Sequence, residues 1–237
     1  MTTSTQWTLY PTSDAGHTQV GWLNSKHTFS FGEFLDPNRM GFRSLRVIND
    51  DSVAAGAGFG MHGHRDMEIL SFVVEGSLEH KDSMGNGTTI RPGEIQFMGA
   101  GTGVRHSEYN PSAKEAVRFI QIWIVPGQRG LAPKYQEASF GTEPFPGSAK
   151  LLAGPEEAPG AVQIRQDAKL YVADVAPAAP VRLPVAAGRG VFLQVVNGKV
   201  QVGGHELSQS DAAGADVRES ATIEITGEGR VLVFDLA

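Results

Sequence analysis

The chain is expected to be all-β, folded as two tandem jelly-roll β-barrels. Turn signals recur about every 8–12 residues along most of its length, the spacing of sandwiches and barrels. Almost no segment repeats apolar residues with the 3.6-residue period of a helix. The 237 residues carry the same short-strand texture on either side of a middle rich in Gly and Pro, which allows two domains of roughly 110 residues each. The expected division is a first barrel at 1–130, a linker at 131–147 and a second barrel at 148–237.

Taken in order, Trp7, Leu9 and Tyr10 suit an edge strand, and a turn-like stretch at 14–21 precedes Trp22 and Leu23. His27, Phe29 and Phe31 share one strand face. They are either core, or His27 and one Phe border a pocket mouth. Residues 45–49 read as a strand closed by a turn at Asn49-Asp50-Asp51. Strands follow at 67–74, 78–81, 88–90, 95–98 and 117–125, with Met84-Gly85-Asn86-Gly87 as a hairpin turn. Between 126 and 154 periodicity lapses, and 134–137 is the stretch there compatible with a helix. The second half repeats short strands at 150–152, 163–165, 169–174, 191–196, 199–202, 221–226 and 230–235. Asn197-Gly198 reads as a hairpin turn among them.

Two pairs carry the chemistry: His62-Gly63-His64 and His106-Ser107-Glu108. Residues i and i+2 of a strand project from the same face, about 7 Å apart. If both strands line one barrel, three imidazoles and one carboxylate converge. That donor set suits a divalent first-row metal such as Fe(II), Ni, Mn or Zn. Glycines at 56, 58 and 60 allow close backbone approach beside the first pair. The second half has one histidine, His205, and no such pair, so no second metal is expected there.

The chain has no cysteine, which excludes disulfides and thiolate sites. Its net charge of −6, with no Lys/Arg-rich run, gives no electrostatic support for direct nucleic-acid contact. No apolar run approaches 18 residues, so no membrane helix is expected. The opening Met1-Thr2-Thr3-Ser4-Thr5 lacks the charged and apolar regions of a signal peptide, and the cytoplasm is the expected compartment.

Two motifs then resemble the cupin superfamily. The first is Gly56-x5-His62-x-His64-x3-Glu68 with Gly76, whose final gap is one residue longer than usual. The second runs from Gly93 to His106-x3-Asn110; it lacks the usual proline and has a longer segment before the histidine. More specifically, His62-Gly63-His64-Arg65-Asp66-Met67-Glu68, His80-Lys81-Asp82, Pro92-Gly93-Glu94 and residues 101–108 resemble the pirin family through most of 20–125. The resemblance implies two cupin barrels, the C-terminal one degenerate, with metal in the first barrel only. It implies His62, His64, His106 and Glu108 as ligands. Glu68 is the rival carboxylate, since in many other cupins the first-motif glutamate is the fourth ligand. The pirin pattern favours Glu108 and leaves Glu68 to orient a histidine ring.

Bacterial proteins of this kind resemble quercetin 2,3-dioxygenases, which open the central ring of a flavonol with O₂ and release carbon monoxide. The resemblance implies one divalent transition metal per chain, Fe(II) first, with Ni, Mn, Zn, Co or Cu as alternatives. Glu108 could double as the base that takes the flavonol 3-hydroxyl proton. Phe29, Phe59, Met61, Phe97 and Met98 are candidate walls for a flat aromatic ligand. Two other functions stand beside this one. One is a metal-binding regulator acting through a protein partner. The other is isomerase or epimerase chemistry, because fold does not fix function.

Overall fold

A computed structural model describes residues 5–237. Residues 1–4, part of the opening read above for a leader, lie outside the described residues. The chain forms two compact units. One comprises Gly16–Thr142 and Gly154–Gln166; the other comprises the residues up to Ala15, Glu143–Ala153 and Asp167–Ala237. These units interleave in sequence, unlike the expected division at 1–130, 131–147 and 148–237. Among the described residues the only helical element is the single 3-10 turn Thr12–Asp14, so the all-β expectation holds. No helix is long and apolar enough to cross a membrane.

The chain starts with β1 (Trp7–Tyr10), which belongs to the later unit. The metal-motif unit then carries β2 (Gly16–Val20), β3 (Leu23–His27), β4 (Leu45–Val53), β5 (Gly58–His64), β6 (Glu68–Glu75) and β7 (Leu78–Asp82). It continues with β8 (Gly87–Ile90), β9 (Glu94–Gly99), β10 (Val104–Tyr109), β11 (Val117–Ile124) and β12 (Lys134–Ser139). A seven-stranded sheet runs β12-β9-β6-β11-β4-β3-β2, and a four-stranded sheet runs β5-β10-β7-β8. Apolar residues from both sheets meet between them. Val53, Val73 and Phe119 of the large sheet pack with Leu78 and Ile90 of the small one. Ile69 and Met98 pack with Val104 in the same way.

Three local expectations are corrected here. Asn49-Asp50-Asp51 is no turn: β4 continues to Val53. Acidic residues suggest a strand end, but pairing with β3 and β11 carries both inside the strand. Asp50 binds the Arg118 guanidinium with both oxygens, at 2.8 and 2.7 Å, and Asp51 points to the opposite face. The stretch at 14–21 is mostly strand, since β2 pairs with β3 from Gly16↔His27 to Val20↔Leu23. Residues 134–137 are not helical. They belong to β12, which pairs antiparallel with β9 from Lys134↔Gly99 to Ser139↔Glu94, inside the stretch expected as linker.

The other unit adds β13 (Ser148–Gly154), then, past β14 (Val162–Gln163) of the first unit, β15 (Ala168–Val175), β16 (Val181–Val185) and β17 (Gly190–Val202). It ends with β18 (His205–Ser208), β19 (Ala212–Asp216) and β20 (Ala221–Leu236). Its sheet runs β1-β19-β17-β20-β15-β13, with β16 also on β20 and β18 on β17. Valines and isoleucines from β15, β17 and β20, such as Val172, Val195 and Ile225, are buried. Asn197-Gly198 is not a turn, and 221–226 and 230–235 are one strand. The ladder between β17 and β20 shifts register between Val195 and Asn197. Gly198 has φ +80, and a Cβ there would lie 2.2 Å from the Glu228 carbonyl oxygen. The glycine lets two long strands bend together instead of ending.

Candidate metal centre

β5 and β10 are neighbours in the small sheet, and their register sets His106 directly across from His62 and Val104 across from His64. The i, i+2 parity expected from the sequence therefore brings both pairs to one face. Beyond His62 the register shifts, so that Glu108 faces Phe59. One extra β5 residue sits between those pairs, a β-bulge that re-aims the chain beside the site. The bulge brings the Gly60 carbonyl to 2.7 Å from His62 Nδ1. Nδ1–H then donates to that carbonyl, which leaves the Nε2 lone pair free to bind. Close approach has a sequence cause: a Cβ on Gly58 would lie 2.2 Å from the Glu108 carbonyl oxygen.

His62, His64 and His106 place one ring nitrogen each within 4.8 Å of one another. Their ring centroids are 4.5–4.9 Å apart. His106 is buried, and its Nε2 has no hydrogen-bond partner. A buried polar atom without a partner is costly unless something outside the protein binds it. Burial and the neighbouring His106 and His62 push His64 down to about 4. Burial, His62 and His80 push His106 down to about 3. Both rings are thus neutral around pH 7, the form that ligates metal. Three imidazoles with an open side fit a divalent first-row ion.

Glu108 borders the same cavity but is not gathered into the three-ring cluster. Its carboxylate is held from the large sheet. Gln121 Nε2 donates to both oxygens, at 3.0 and 2.9 Å, and Ser71 Oγ lies 3.1 Å from Oε1. The Ser71 hydroxyl also lies 2.9 Å from Gln121 Oε1, so its one proton is shared between two acceptors. Glu68 goes elsewhere. It is buried, accepts from the Arg165 backbone N–H and lies 3.5 Å from the Arg165 guanidinium. Burial raises its pKa and the Arg165 contacts oppose the rise. Expected to orient a histidine ring, it instead ties the 154–166 stretch to the strand that follows the first motif. Accordingly, Glu68→Gln should lower turnover by less than about 10-fold, below the ~10–100-fold worth of a group that orients a ligand. Steady-state rates at fixed metal content would check this.

Apart from His27, already a pocket-mouth candidate, further residues of the site are not apparent from the sequence. His27, Asn49, Gln121, Ser71 and Gln96 lie opposite one another across five strands of the large sheet, as one polar row. His27 Nδ1 lies 2.8 Å from Asn49 Oδ1, and Gln96 Nε2 donates to Tyr135 at 3.2 Å. Behind His106 stand His80 and Asp82. His80 Nδ1 is 3.4 Å from His106 Nδ1, and His80 Nε2 is 3.1 Å from Asp82 Oδ2. Tyr135, from the strand taken for linker, stacks on His80 with centroids 5.1 Å apart. The signal available was polarity inside apolar runs: Ser71 among Ile69–Val74 neighbours, and Gln121 between Ile120 and Ile122.

The cavity has a volume of about 400 Å³, in the range of small-ligand sites. Trp123 packs edge-on against His64 at 4.9 Å, and Phe31 against Trp123 at 5.5 Å. His27, Phe31 and Phe59 line it, so the pocket-mouth alternative for His27 and one Phe holds. Of the other expected walls, Phe29, Phe97 and Met98 are buried outside the lining, and Met61 is about half exposed (49%) on the outer face of β5.

The pirin family model matches residues 11–124, and the model described as the quercetinase C-terminal cupin domain matches 151–236. The protein named quercetin 2,3-dioxygenase from Escherichia coli strain K12 is 43% identical over 96% of this chain and 97% of its own length. A protein from Pasteurella multocida named as a putative quercetin 2,3-dioxygenase is 40% identical over 93% of this chain and 94% of its own. The crystal structure of YhhW from Escherichia coli superposes with a TM-score of 0.92 at 43% identity, covering 98% of both chains. The bacterial pirin YhhW in complex with nickel(II) gives 0.90 at 42% identity, covering 98% of this chain and 99% of that one. Both halves are cupin barrels, the second lacking the paired-histidine motif, and the chain belongs to the pirin family.

Proposed function

We propose that this protein is a metal-dependent dioxygenase that opens the central ring of a flavonol such as quercetin with O₂, releasing carbon monoxide. The observation that carries it is the joining of three clustered imidazoles to an aromatic-walled cavity that also holds a clamped carboxylate. Its relatives' names point to the same substrate class. His62, His64 and His106 would hold one divalent ion, with Glu108 as fourth ligand. Iron is the first candidate, and nickel, manganese, zinc, cobalt and copper share the ligand preference. The ion, when bound, supplies a Lewis-acidic seat that favours a deprotonated phenolic oxygen.

The chain's own residues do the rest. Glu108 takes the 3-hydroxyl proton on a carboxylate oxygen, while Gln121 and Ser71 fix the direction of that carboxylate. Trp123, Phe31 and Phe59 offer flat apolar surface to the ring system and displace water from it. His62 keeps its tautomer through Gly60, and His106 through His80.

The test is direct. Protein loaded separately with Fe(II), Ni, Mn, Co, Cu or Zn is mixed with quercetin, and visible absorbance, O₂ uptake and carbon monoxide are followed. At least one metal form should bleach quercetin with one O₂ consumed and one carbon monoxide released. If none does, the dioxygenase reading is wrong and a regulatory role moves ahead. The same preparations should bind one metal per chain, held by the first unit, because His205 of β18 is exposed and has no second histidine at i±2. Two equivalents by elemental analysis, one of them surviving loss of His62 and His64, would refute that.

A further inference from the structure

The cavity contains a carboxyl group that the proposed chemistry does not use. Asp51 lies on the inward face of β4, paired in register with Ser25 and Phe119. It lines the same cavity as His62, His64 and Glu108. Its side chain is 3% exposed, and its Oδ1 has no hydrogen-bond partner. Ser25 serves the carboxyl by one hydrogen bond. Burial, with smaller contributions from Glu108 and Asp50, pushes the group up to about 7. The fold gains little from such a residue. The neighbouring Asp50 already makes the ion pair with Arg118, and an orphaned buried oxygen is a net cost. An orphaned carboxyl oxygen on a cavity-lining residue marks a place where a ligand group completes the hydrogen bond.

We propose that Asp51 is a specificity-determining residue, whose free oxygen takes a ring hydroxyl of a phenolic ligand while another part of that ligand reaches the three imidazoles. The inference rests on the flavonol reading and narrows it to flavonols hydroxylated away from the 3-position. The walls around Asp51 favour a flat ring: Phe59 packs edge-on against Trp22 at 5.1 Å, and Phe31 packs against His27 at 5.2 Å. A hydroxyl fits better than an ammonium group. It donates to a carboxylate and accepts from a carboxylic acid, so it satisfies Asp51 in either form. A cation would need full ionisation, which burial opposes.

The experiment measures equilibrium binding, without turnover, by quenching of tryptophan fluorescence in metal-loaded protein kept free of O₂. The probes are quercetin and 3-hydroxyflavone, which keeps the 3-hydroxyl but lacks the hydroxyls on the other two rings. The proteins are the parent, Asp51→Leu and Asp51→Asn. The parent should bind quercetin tighter by about 10–100-fold, the worth of a hydrogen bond to an otherwise unpaired buried group. Asp51→Leu should lose that preference while holding 3-hydroxyflavone as well as the parent does, and its melting temperature should not fall. Asp51→Asn keeps a polar partner at the same place and should retain part of the preference, which covers the case of a poorly folded leucine variant. A parent with no preference, or a preference that survives both substitutions, overturns the inference. The two readings separate. Loss of preference in Asp51→Leu without turnover of any flavonol keeps the role of Asp51 and removes the dioxygenase. Turnover with an unmoved preference does the reverse.

Discussion

Glu108→Gln protein should fold normally, keep part of its metal and lose flavonol turnover by about 10²–10⁴-fold, the usual contribution of a positioned general base. The side chain keeps its size but loses its charge and nearly all its basicity. It also loses part of its setting. Gln121 Nε2 now donates to both carboxylate oxygens. In the variant one of those atoms becomes an N–H donor, so an amide would face an amide unless one of them turns. Metal should persist in part because His62, His64 and His106 form a cluster without Glu108. Metal content and quercetin decay, measured on the same preparation, separate the two roles. An unchanged rate at unchanged metal content would show that Glu108 is neither base nor essential ligand. Ser71→Ala should follow in the same direction with a smaller loss, since Gln121 still holds the carboxylate.

The parts of this site that were legible in the sequence are those fixed by strand parity. His62 with His64, and His106 with Glu108, had to share faces once their segments were strands, and they do. The register between β5 and β10 was not legible, nor was the bulge that turns Gly60 toward His62. Both depend on how two distant strands pair, which local composition does not encode. The errors have one cause. Asp50-Asp51, 134–137 and Asn197-Gly198 were read from local preference alone, and tertiary pairing overrode it in each case. Asp50 is kept in strand by Arg118, β12 by the β9 ladder, and Asn197-Gly198 by the bend shared with β20. The polar row from His27 to Gln96 was hidden for the same reason. Ser71, Gln96 and Gln121 are single polar positions in apolar runs, His27 and Asn49 sit among other polar residues, and only the register assembles them. Glu68 shows the converse. A motif position expected to serve the metal is held by Arg165, a partner from the region where periodicity had lapsed.

The second large effect should come from His80, which touches no substrate. With His106 Nε2 pointing to the metal position, the neutral ring must carry its proton on Nδ1. That N–H donates to His80 Nδ1, 3.4 Å away, so His80 carries its own proton on Nε2 and donates to Asp82 at 3.1 Å. One consistent set of tautomers therefore runs from Asp82 through His80 to His106. Asp82 is suited to anchor it. Burial would raise its pKa, but hydrogen bonds from Asn86, His80 and the backbone of Asn86 and Met84 outweigh burial and hold it low, as a carboxylate. Tyr135 covers His80, and its own hydroxyl is occupied by Glu137 and Gln96. His80→Phe preserves the ring and its stacking on Tyr135 but leaves the His106 Nδ1–H buried without an acceptor. Metal affinity should then fall by about 10–100-fold, as for other groups that orient a ligating histidine. His80→Gln, which restores an acceptor in the same region, should recover part of the loss. The measurement is the metal dissociation constant by competition with a chelator of known affinity, at fixed pH. A role in packing alone predicts no loss in His80→Phe and a larger one in His80→Gln; that order of results would remove His80 from the site.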